Sequence, residues 1–163
     1  MGSKGVLDYD LLSLSYDGLY GGEQIRKYRA AVCYVEVSGM GRILDVGCGT
    51  ALLYSFLRAI GLDGEYVGVD ISAGMLEKAK SSGPPHLVQA DSHRLPFRSK
   101  AFTHTFSFTV VHHCNPPTIL EETLRTTSRQ VIISQNRRLA PRLFITPVAE
   151  IGDEEILVIN IQS

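Results

Sequence analysis

The sequence predicts a single α/β domain built on a doubly wound, mostly parallel seven-stranded sheet that ends in a C-terminal antiparallel hairpin. The first observation is length, because 163 residues correspond to one domain of ordinary size. The second is that apolar runs of strand length alternate with helical patterns, which is typical of βαβ units. The third is that no linker or repeat divides the chain, so we expect one domain over residues 1–163.

The first half of the chain predicts helix, strand, helix, strand and helix in that order. Gly21-Gly22 is expected to interrupt the chain before a helix that runs from Glu23 to about Val37. The apolar run Arg42–Val46 then predicts a buried strand. The next elements are expected to be a helix from Ala51 to about Ile60, a strand at Tyr66–Asp70, and a helix at Ala73–Ser81 capped by Ser72.

The second half predicts the remaining strands, one further helix and the closing hairpin. Apolar, β-branched and aromatic residues mark the strands, and prolines mark the start of the helix. We expect strands at His86–Ala90, Phe102–Val111 and Val131–Ser134, a helix at Thr118–Thr126, and hairpin strands at Leu143–Val148 and Ile156–Ile161. Ligands of such sheets bind outside the carboxyl ends of the strands, so residues that follow strands are the candidates for a site.

The composition excludes several classes of protein. Hydrophobic residues make up 44% of the chain and charged residues 20%, which excludes a disordered or collagen-like chain. Sixteen basic and seventeen acidic residues give a net charge of -1, which disfavours a strong nucleic-acid binder. The apolar runs are too short for a membrane span, and we expect no secretory signal. Three widely spaced cysteines fit a cytoplasmic location and predict no metal site.

A glycine-rich turn after the first strand carries the most chemical information. Gly47 and Gly49 allow the backbone to approach a ligand closely, and Asp70 at the end of the next strand can accept both hydroxyls of a ribose. Asp45 stands just before the glycines, where its carboxylate would repel a phosphate and suit an ammonium group. The pattern therefore favours a nucleoside that carries an amino acid over a dinucleotide.

Four motifs in order resemble those of class I S-adenosylmethionine-dependent methyltransferases over roughly residues 16–135. Asp45-Val46-Gly47-Cys48-Gly49-Thr50-Ala51 resembles D/E-x-G-x-G-x-G, with Ala51 in place of the last glycine. The other three are Val67–Ala79, Gln89–Ser92 with Leu95-Pro96-Phe97 after it, and Phe106–His113. Thr103 replaces the acidic residue that is usual after the third motif. The nearest subgroup is the small-molecule type, similar to ubiquinone/menaquinone-biosynthesis C-methyltransferases.

The resemblance implies a Rossmann-like fold, S-adenosylmethionine as the methyl donor, and a role for each matched residue. Asp70 would hold the ribose, Ile71 and Met75 would contact the adenine, and Asp91 would lie near its amino group. Met75 and Phe108 fit ordinary core positions about equally well, and Asp91 also suits a turn. The expected donor-binding residues are Tyr16, Asp45, Gly47, Cys48, Gly49, Asp70, Ile71, Met75, Asp91, Ser92, Ser107 and Phe108. His112 is the candidate general base, on position alone.

The acceptor is not identified, although a small molecule is favoured. Residues 42–161 would form the donor-binding core and residues 1–40 a helical cap, which leaves an open site for a large acceptor, an activator subunit or a homodimer contact to complete.

Two alternatives remain beside a small-molecule methyltransferase. The first is an RNA or protein methyltransferase that needs a partner subunit. Asn115-Pro116-Pro117 motivates it, together with five arginines and no acid over residues 123–149. A proline-initiated helix and a solvated surface are the simpler interpretations of those two features. The second alternative is a non-catalytic S-adenosylmethionine-binding protein. Asp45 disfavours a dinucleotide-binding protein.

Overall fold

The computed structural model describes the backbone of residues 16–162 and the side chains of residues 21–162. Four α-helices, two 3-10 helices of one turn (Lys80–Ser82 and Val111–His113) and seven strands form the described part of the chain. The helices are α1 (Tyr16–Val32), α2 (Leu52–Ala59), α3 (Ala73–Ala79) and α4 (Pro116–Thr126). The strands are β1 (Arg42–Val46), β2 (Glu65–Asp70), β3 (His86–Gln89), β4 (Phe102–Phe108), β5 (Thr127–Asn136), β6 (Ala149–Ile151) and β7 (Glu154–Asn160).

The strands form one sheet in the order β3-β2-β1-β4-β5-β7-β6. The first five strands pair in parallel, whereas β7 runs antiparallel to β5, and β6 antiparallel to β7. The strand order reverses between β1 and β4, and such a reversal opens a crevice at the carboxyl ends of the strands. The predicted α/β sheet with a C-terminal antiparallel hairpin is confirmed.

Helices cover both faces of the sheet, which makes the fold doubly wound. On one face, Tyr28 and Ala31 of α1 and Phe56 of α2 pack with inward side chains of β1, β2, β4, β5 and β7. The opposite face has two apolar clusters, one around Leu44 and Val69 and one around Val131 and Leu157, and side chains of α4 pack against the second. None of the helices within residues 16–162 is long and apolar enough to cross a membrane.

The first helix differs from its prediction at both ends. It begins at Tyr16 and continues through Gly21-Gly22, so the predicted interruption there is wrong, and it ends at Val32 instead of about Val37. A glycine inside a helix costs only about 1 kcal/mol relative to alanine. Burial of Gln24, Tyr28 and Ala31 against the sheet offsets that cost.

The C-terminal hairpin is present, but its first strand lies later than predicted. The predicted strand at residues 143–148 is absent, and at its start the side chain of Gln135 binds the backbone of Leu143. Its Nε2 donates to the carbonyl of Leu143 at 2.9 Å, and its Oε1 accepts from the Leu143 N–H at 2.8 Å. These bonds take the place of strand pairing at Leu143. The pairing with β7 begins with the N–H of Val148, which donates to the carbonyl of Ile156 at 2.8 Å, and the strand itself starts at Ala149.

Candidate functional site

The turn after β1 requires glycine for a steric reason. Gly47 has a φ of +73°, and its N–H donates to the carbonyl of Val69 at 2.8 Å. A Cβ at Gly47 would lie 2.2 Å from Cγ2 of Val110, so the turn that follows β4 leaves no room for a side chain. Gly49 and Ala51 also have positive φ values, of 54° and 62°. The conformation explains the motif, and Ala51 shows that a small side chain is tolerated at its last position.

Gly47→Ala is expected to destabilise the fold by several kcal/mol, roughly 3 or more, because strain at positive φ and a clash with Val110 add together. Gly152→Ala is the matched control, since Gly152 has a φ of +62° but no neighbouring atom within 4 Å of the point that a Cβ would occupy. That control should cost only ~1–2 kcal/mol. Urea unfolding measures both variants, and equal losses would show that the contact with Val110 contributes nothing.

Asp70 holds two elements of the site together at the end of β2. Its Oδ2 accepts from the N–H of Gly49 at 2.8 Å, and its Oδ1 accepts from the N–H of Ser72 at 2.9 Å. Ser72 in turn caps α3, since its Oγ accepts from the N–H of Met75 at 3.1 Å. The carboxylate therefore joins the glycine turn to the start of α3.

Asp45 is a buried carboxyl group beneath the same turn. Only 3% of the residue is exposed, and the Tyr66 hydroxyl donates to its Oδ2 at 2.6 Å. Burial raises the pKa of Asp45 to about 7; the bond from Tyr66 acts in the opposite direction, and the charge of Asp70 adds to the rise. Burial also raises the pKa of the neighbouring Cys48 thiol, which therefore stays protonated and unreactive.

The end of β3 lies beside the end of β2. The N–H of Ala90 donates to the carbonyl of Asp70 at 3.1 Å, so Asp91 follows directly beside the Asp70 turn. Hydrogen bonds from the backbone and ring of His93 lower the pKa of Asp91. Ile71, which follows Asp70 in the chain, is 63% exposed. Its aliphatic side chain therefore offers an apolar contact at this edge of the sheet.

The structure brings eleven of the twelve predicted donor-binding residues to one edge of the sheet or just below it. Met75 and Phe108 are buried, and Phe108 packs edge-on against Tyr28 with ring centroids 4.9 Å apart. Ser107 is also buried, and its Oγ has no hydrogen-bond partner among the described residues. Tyr16 lies outside the residues whose side chains are described. Contact of these residues with a donor stays a prediction.

Both ring nitrogens of His112 form hydrogen bonds with the backbone. Its Nε2 accepts from the N–H of Asn136 at 2.6 Å, so the proton is on Nδ1, which donates to the carbonyl of Pro141 at 3.0 Å. A base role for His112 would require one of these bonds to break. The geometry supports a different function, in which His112 holds the segment after β5 against the end of β4.

A buried polar cluster beside the site could not be recognised in the sequence. Lys27 on α1 is 1% exposed and forms ion pairs with Glu23 at 3.2 Å and Glu154 at 3.0 Å. Its Nζ also donates to Oγ1 of Thr109 at 3.2 Å, which follows β4 with a φ of +64°. A lysine on a helix is normally on the solvent face, and Glu154 is far away in sequence. A β-branched residue at positive φ gives no signal before the fold is known.

The arginines of residues 123–149 do not form an unpaired basic surface. Arg137 lies 3.2 Å from Glu150 and 3.4 Å from Asp153, and Arg138 lies 2.9 Å from Asp153. The hairpin acids therefore balance most of this positive charge. Asn115 caps α4 by accepting from the N–H of Thr118 at 3.3 Å, with prolines in the first turn. Both features thus match their simpler interpretations.

Comparison with known proteins identifies the family. A model of the methyltransferase domain matches residues 44–133, which is more than half of the chain. The chain belongs to the class I S-adenosylmethionine-dependent methyltransferase family. The resemblance predicted from the four motifs is therefore confirmed.

The methyltransferase domain has relatives by sequence and by structure. An uncharacterised protein of Methanocaldococcus jannaschii is 32% identical over 154 residues, 94% of this chain and 55% of its own length. A demethylmenaquinone methyltransferase of Staphylococcus haemolyticus is 38% identical over 82 residues, 47% of this chain and 34% of its own length. The methyltransferase domain thus spans about half, or less, of the curated relatives it matches.

Two solved structures have the same fold. A complex of the Haloferax volcanii Trm112 methyltransferase activator with its methyltransferase partner gives a TM-score of 0.69 at 20% identity, over 78% of this chain and 58% of that one. An S-adenosylmethionine-dependent methyltransferase of Thermotoga maritima gives 0.66 at 19% identity, over 80% and 61%. At these identities the likeness shows the fold alone.

Proposed function

We propose that the chain binds S-adenosylmethionine at the carboxyl edge of β1 to β4 and transfers its methyl group to an acceptor. One observation carries the proposal: Asp70 ends β2 with its carboxylate held by the N–H groups of Gly49 and Ser72. Each carboxylate oxygen accepts more than one hydrogen bond, so each can also accept a ribose hydroxyl. The turn after β1 has no room for a side chain at Gly47, and its glycines permit the close backbone approach that such a ligand needs.

The residues present fit the rest of the donor. Asp45 provides a carboxyl group for an ammonium, exposed Ile71 provides an apolar contact for adenine, and Asp91 provides an acceptor for its amino group. S-adenosylmethionine supplies a methyl group that is already activated by its sulfonium. The chain therefore needs chiefly to orient the donor and the acceptor, and orientation alone can contribute ~7–11 kcal/mol to lowering the barrier.

A small molecule is the acceptor class that we favour. The similarity to demethylmenaquinone methyltransferases supports it, as does the pairing of the arginines with hairpin acids. The segment between β5 and β6 lies next to the site, where His112 and Gln135 hold it. Phe144 in this segment is 91% exposed and suits contact with an apolar acceptor.

Free thiols at Cys33, Cys48 and Cys114 fit a reducing, cytoplasmic location.

A methyltransferase that needs a second subunit is the alternative. It is supported by the structural neighbour that forms a complex with an activator and by the exposed apolar residues Phe144 and Leu139. A homodimer would cover the same residues. With a separate activator, the purified chain would bind the donor but transfer methyl groups only when the activator is added, whereas a homodimer would be active as purified.

Calorimetric titration with S-adenosylhomocysteine, the product form of the donor, tests donor binding. We expect saturable one-to-one binding. Tritium transfer from labelled S-adenosylmethionine into a cell extract, separated into small molecules, RNA and protein, then tests the acceptor class. Absence of saturable binding would refute the proposal. Binding with no transfer into any fraction would favour the non-catalytic donor-binding protein.

A further inference from the structure

His93 connects the ends of two strands through its imidazole ring. Its Nδ1 lies 2.6 Å from Oδ1 of Asp91, just after β3, and its Nε2 accepts from the backbone N–H of Asn115 at 3.0 Å. Asn115 is the cap of α4, which follows β4. Because a backbone N–H can only donate, Nε2 must be the unprotonated nitrogen, and the proton on Nδ1 is directed at Asp91. The tautomer of His93 is therefore determined by the fold.

Both hydrogen bonds from His93 reach the same carboxylate oxygen. The backbone N–H of His93 donates to Oδ1 of Asp91 at 2.9 Å, in addition to the bond from the ring. Within residues 16–162, Oδ2 of Asp91 makes no hydrogen bond. Two donors on one oxygen set the rotation of the carboxylate, so Oδ2 is presented in one direction.

We propose that His93 is a positioning residue that orients Asp91 toward the exocyclic amino group of the donor's adenine, and thereby sets specificity for adenine. The inference rests on the proposed function, because it needs the donor at this edge of the sheet. Asp91 follows Ala90, whose N–H donates to the carbonyl of Asp70 at 3.1 Å, and the exposed Ile71 directly follows Asp70 in the chain. An amino group donates to a carboxylate, whereas a carbonyl oxygen at the same ring position would be repelled.

A purely stabilising role explains the pair less well. Asp91 and His93 keep 55% and 35% of their side chains exposed, and a hydrogen bond to a neutral ring at such an exposed position contributes no more to stability than an exposed ion pair, which contributes little. The arrangement is nevertheless specific, since both ring nitrogens are used and the carboxylate is bonded on one oxygen only. Such a geometry is suited to orientation, for which a small energetic contribution is sufficient.

The test compares the binding of S-adenosylhomocysteine and S-inosylhomocysteine by calorimetry. At position 6 inosine carries a carbonyl oxygen in place of the amino group of adenosine, and its neighbouring N1 carries a proton. We expect the wild-type chain to prefer the adenosyl ligand by roughly 10- to 100-fold, as for a hydrogen bond to a charged group. His93→Ala should reduce this preference at least about fivefold, chiefly by weakening the adenosyl ligand.

Two conservative variants separate the two contacts of the ring. Asparagine places its amide nitrogen near the position of Nδ1, so His93→Asn should keep most of the preference. Glutamine reaches only toward the Nε2 position, so His93→Gln should behave like His93→Ala. His86→Ala is the control, because His86 is an exposed histidine at the start of β3. It should leave both affinities unchanged.

The outcomes separate this inference from the proposed function. Absence of binding by either ligand would refute the donor site itself. Binding without preference for adenosine in the wild-type chain, or an unchanged preference in His93→Ala, would overturn the role of His93 and leave the donor site standing. A parallel thermal melt shows whether a variant is folded, and a loss of preference in a folded His93→Ala chain supports the inference.

Discussion

Asp70→Asn is expected to weaken S-adenosylhomocysteine binding by about 100-fold or more, because the change acts on the ligand and on the turn together. An asparagine keeps one oxygen acceptor, but its amide nitrogen would face either the N–H of Gly49 or that of Ser72, and two donors repel. The ribose would also lose one of its two carboxylate acceptors. Calorimetry measures the affinity, and urea unfolding measures the expected stability loss of ~1–3 kcal/mol.

Asp63→Asn is the control for Asp70→Asn. Asp63 is an exposed acid in the loop before β2, so its substitution removes the same charge from the chain without touching the turn. Its affinity for S-adenosylhomocysteine should stay within about twofold of the wild-type value, as is usual for a surface substitution. If Asp70→Asn also bound S-adenosylhomocysteine with nearly the wild-type affinity, Asp70 would not be the ribose-binding residue, whatever the effect of the change on stability.

Asp45→Asn is expected to stabilise the unliganded chain at pH 8 and to weaken donor binding. Folding raises the pKa of Asp45 from its ordinary 3.8 to about 7, chiefly through burial. The folded state therefore binds more protons than the unfolded state between these pH values, and stability falls as pH rises from about 4 to about 7. A difference of one pKa unit corresponds to ~1.4 kcal/mol, so the ionised form of Asp45 lowers the stability of the folded chain by roughly a few kcal/mol above pH 7.

The pH dependence provides the measurement. Urea unfolding from pH 4 to pH 8 should show a decline in wild-type stability that Asp45→Asn lacks; the difference between the two curves isolates Asp45 from the histidines. Tyr66→Phe is the second variant, since it removes the hydroxyl that donates to Asp45 and should extend the decline to higher pH. Parallel curves for wild type and Asp45→Asn would contradict the prediction.

Donor binding should respond to pH in the opposite direction. An ammonium group prefers the ionised form of Asp45, so wild-type affinity for S-adenosylhomocysteine should rise as pH increases through about 7. Asp45→Asn should bind more weakly and without this dependence. The position would then carry a destabilising carboxylate because the ligand requires its charge, which is the trade-off expected at a functional site.

The strand and turn motifs were predictable because each depends on neighbours in sequence. Gly47, Asp70 and Asp91 each follow a short apolar run, and parallel strands bring their carboxyl ends to one edge. Their proximity could therefore be inferred from the order of the elements. The contribution of Asp45 to stability could not be inferred in this way. It depends on Tyr66, whose hydroxyl donates to Asp45 from the neighbouring strand.

Other features needed contacts between distant parts of the chain. The arginines of residues 123–149 looked unpaired because their acidic partners, Glu150 and Asp153, come only later, in the hairpin. His112 was predicted as a candidate base, yet both of its ring nitrogens are hydrogen-bonded, one to the carbonyl of Pro141 and the other to the N–H of Asn136.

The sequence alone was sufficient to determine the family, the order of strands and helices along the chain, and the residues at the carboxyl ends of the parallel strands. Local motifs and hydrophobic periodicity encode all three. The tertiary structure decided which polar groups are paired. It buries Lys27 against Glu154, holds Thr109 at positive φ, and joins His93 to both Asp91 and Asn115. Such pairings depend on side-chain positions that only the packed sheet and its helices define, since burial makes an unpaired polar group costly wherever its partner lies in sequence.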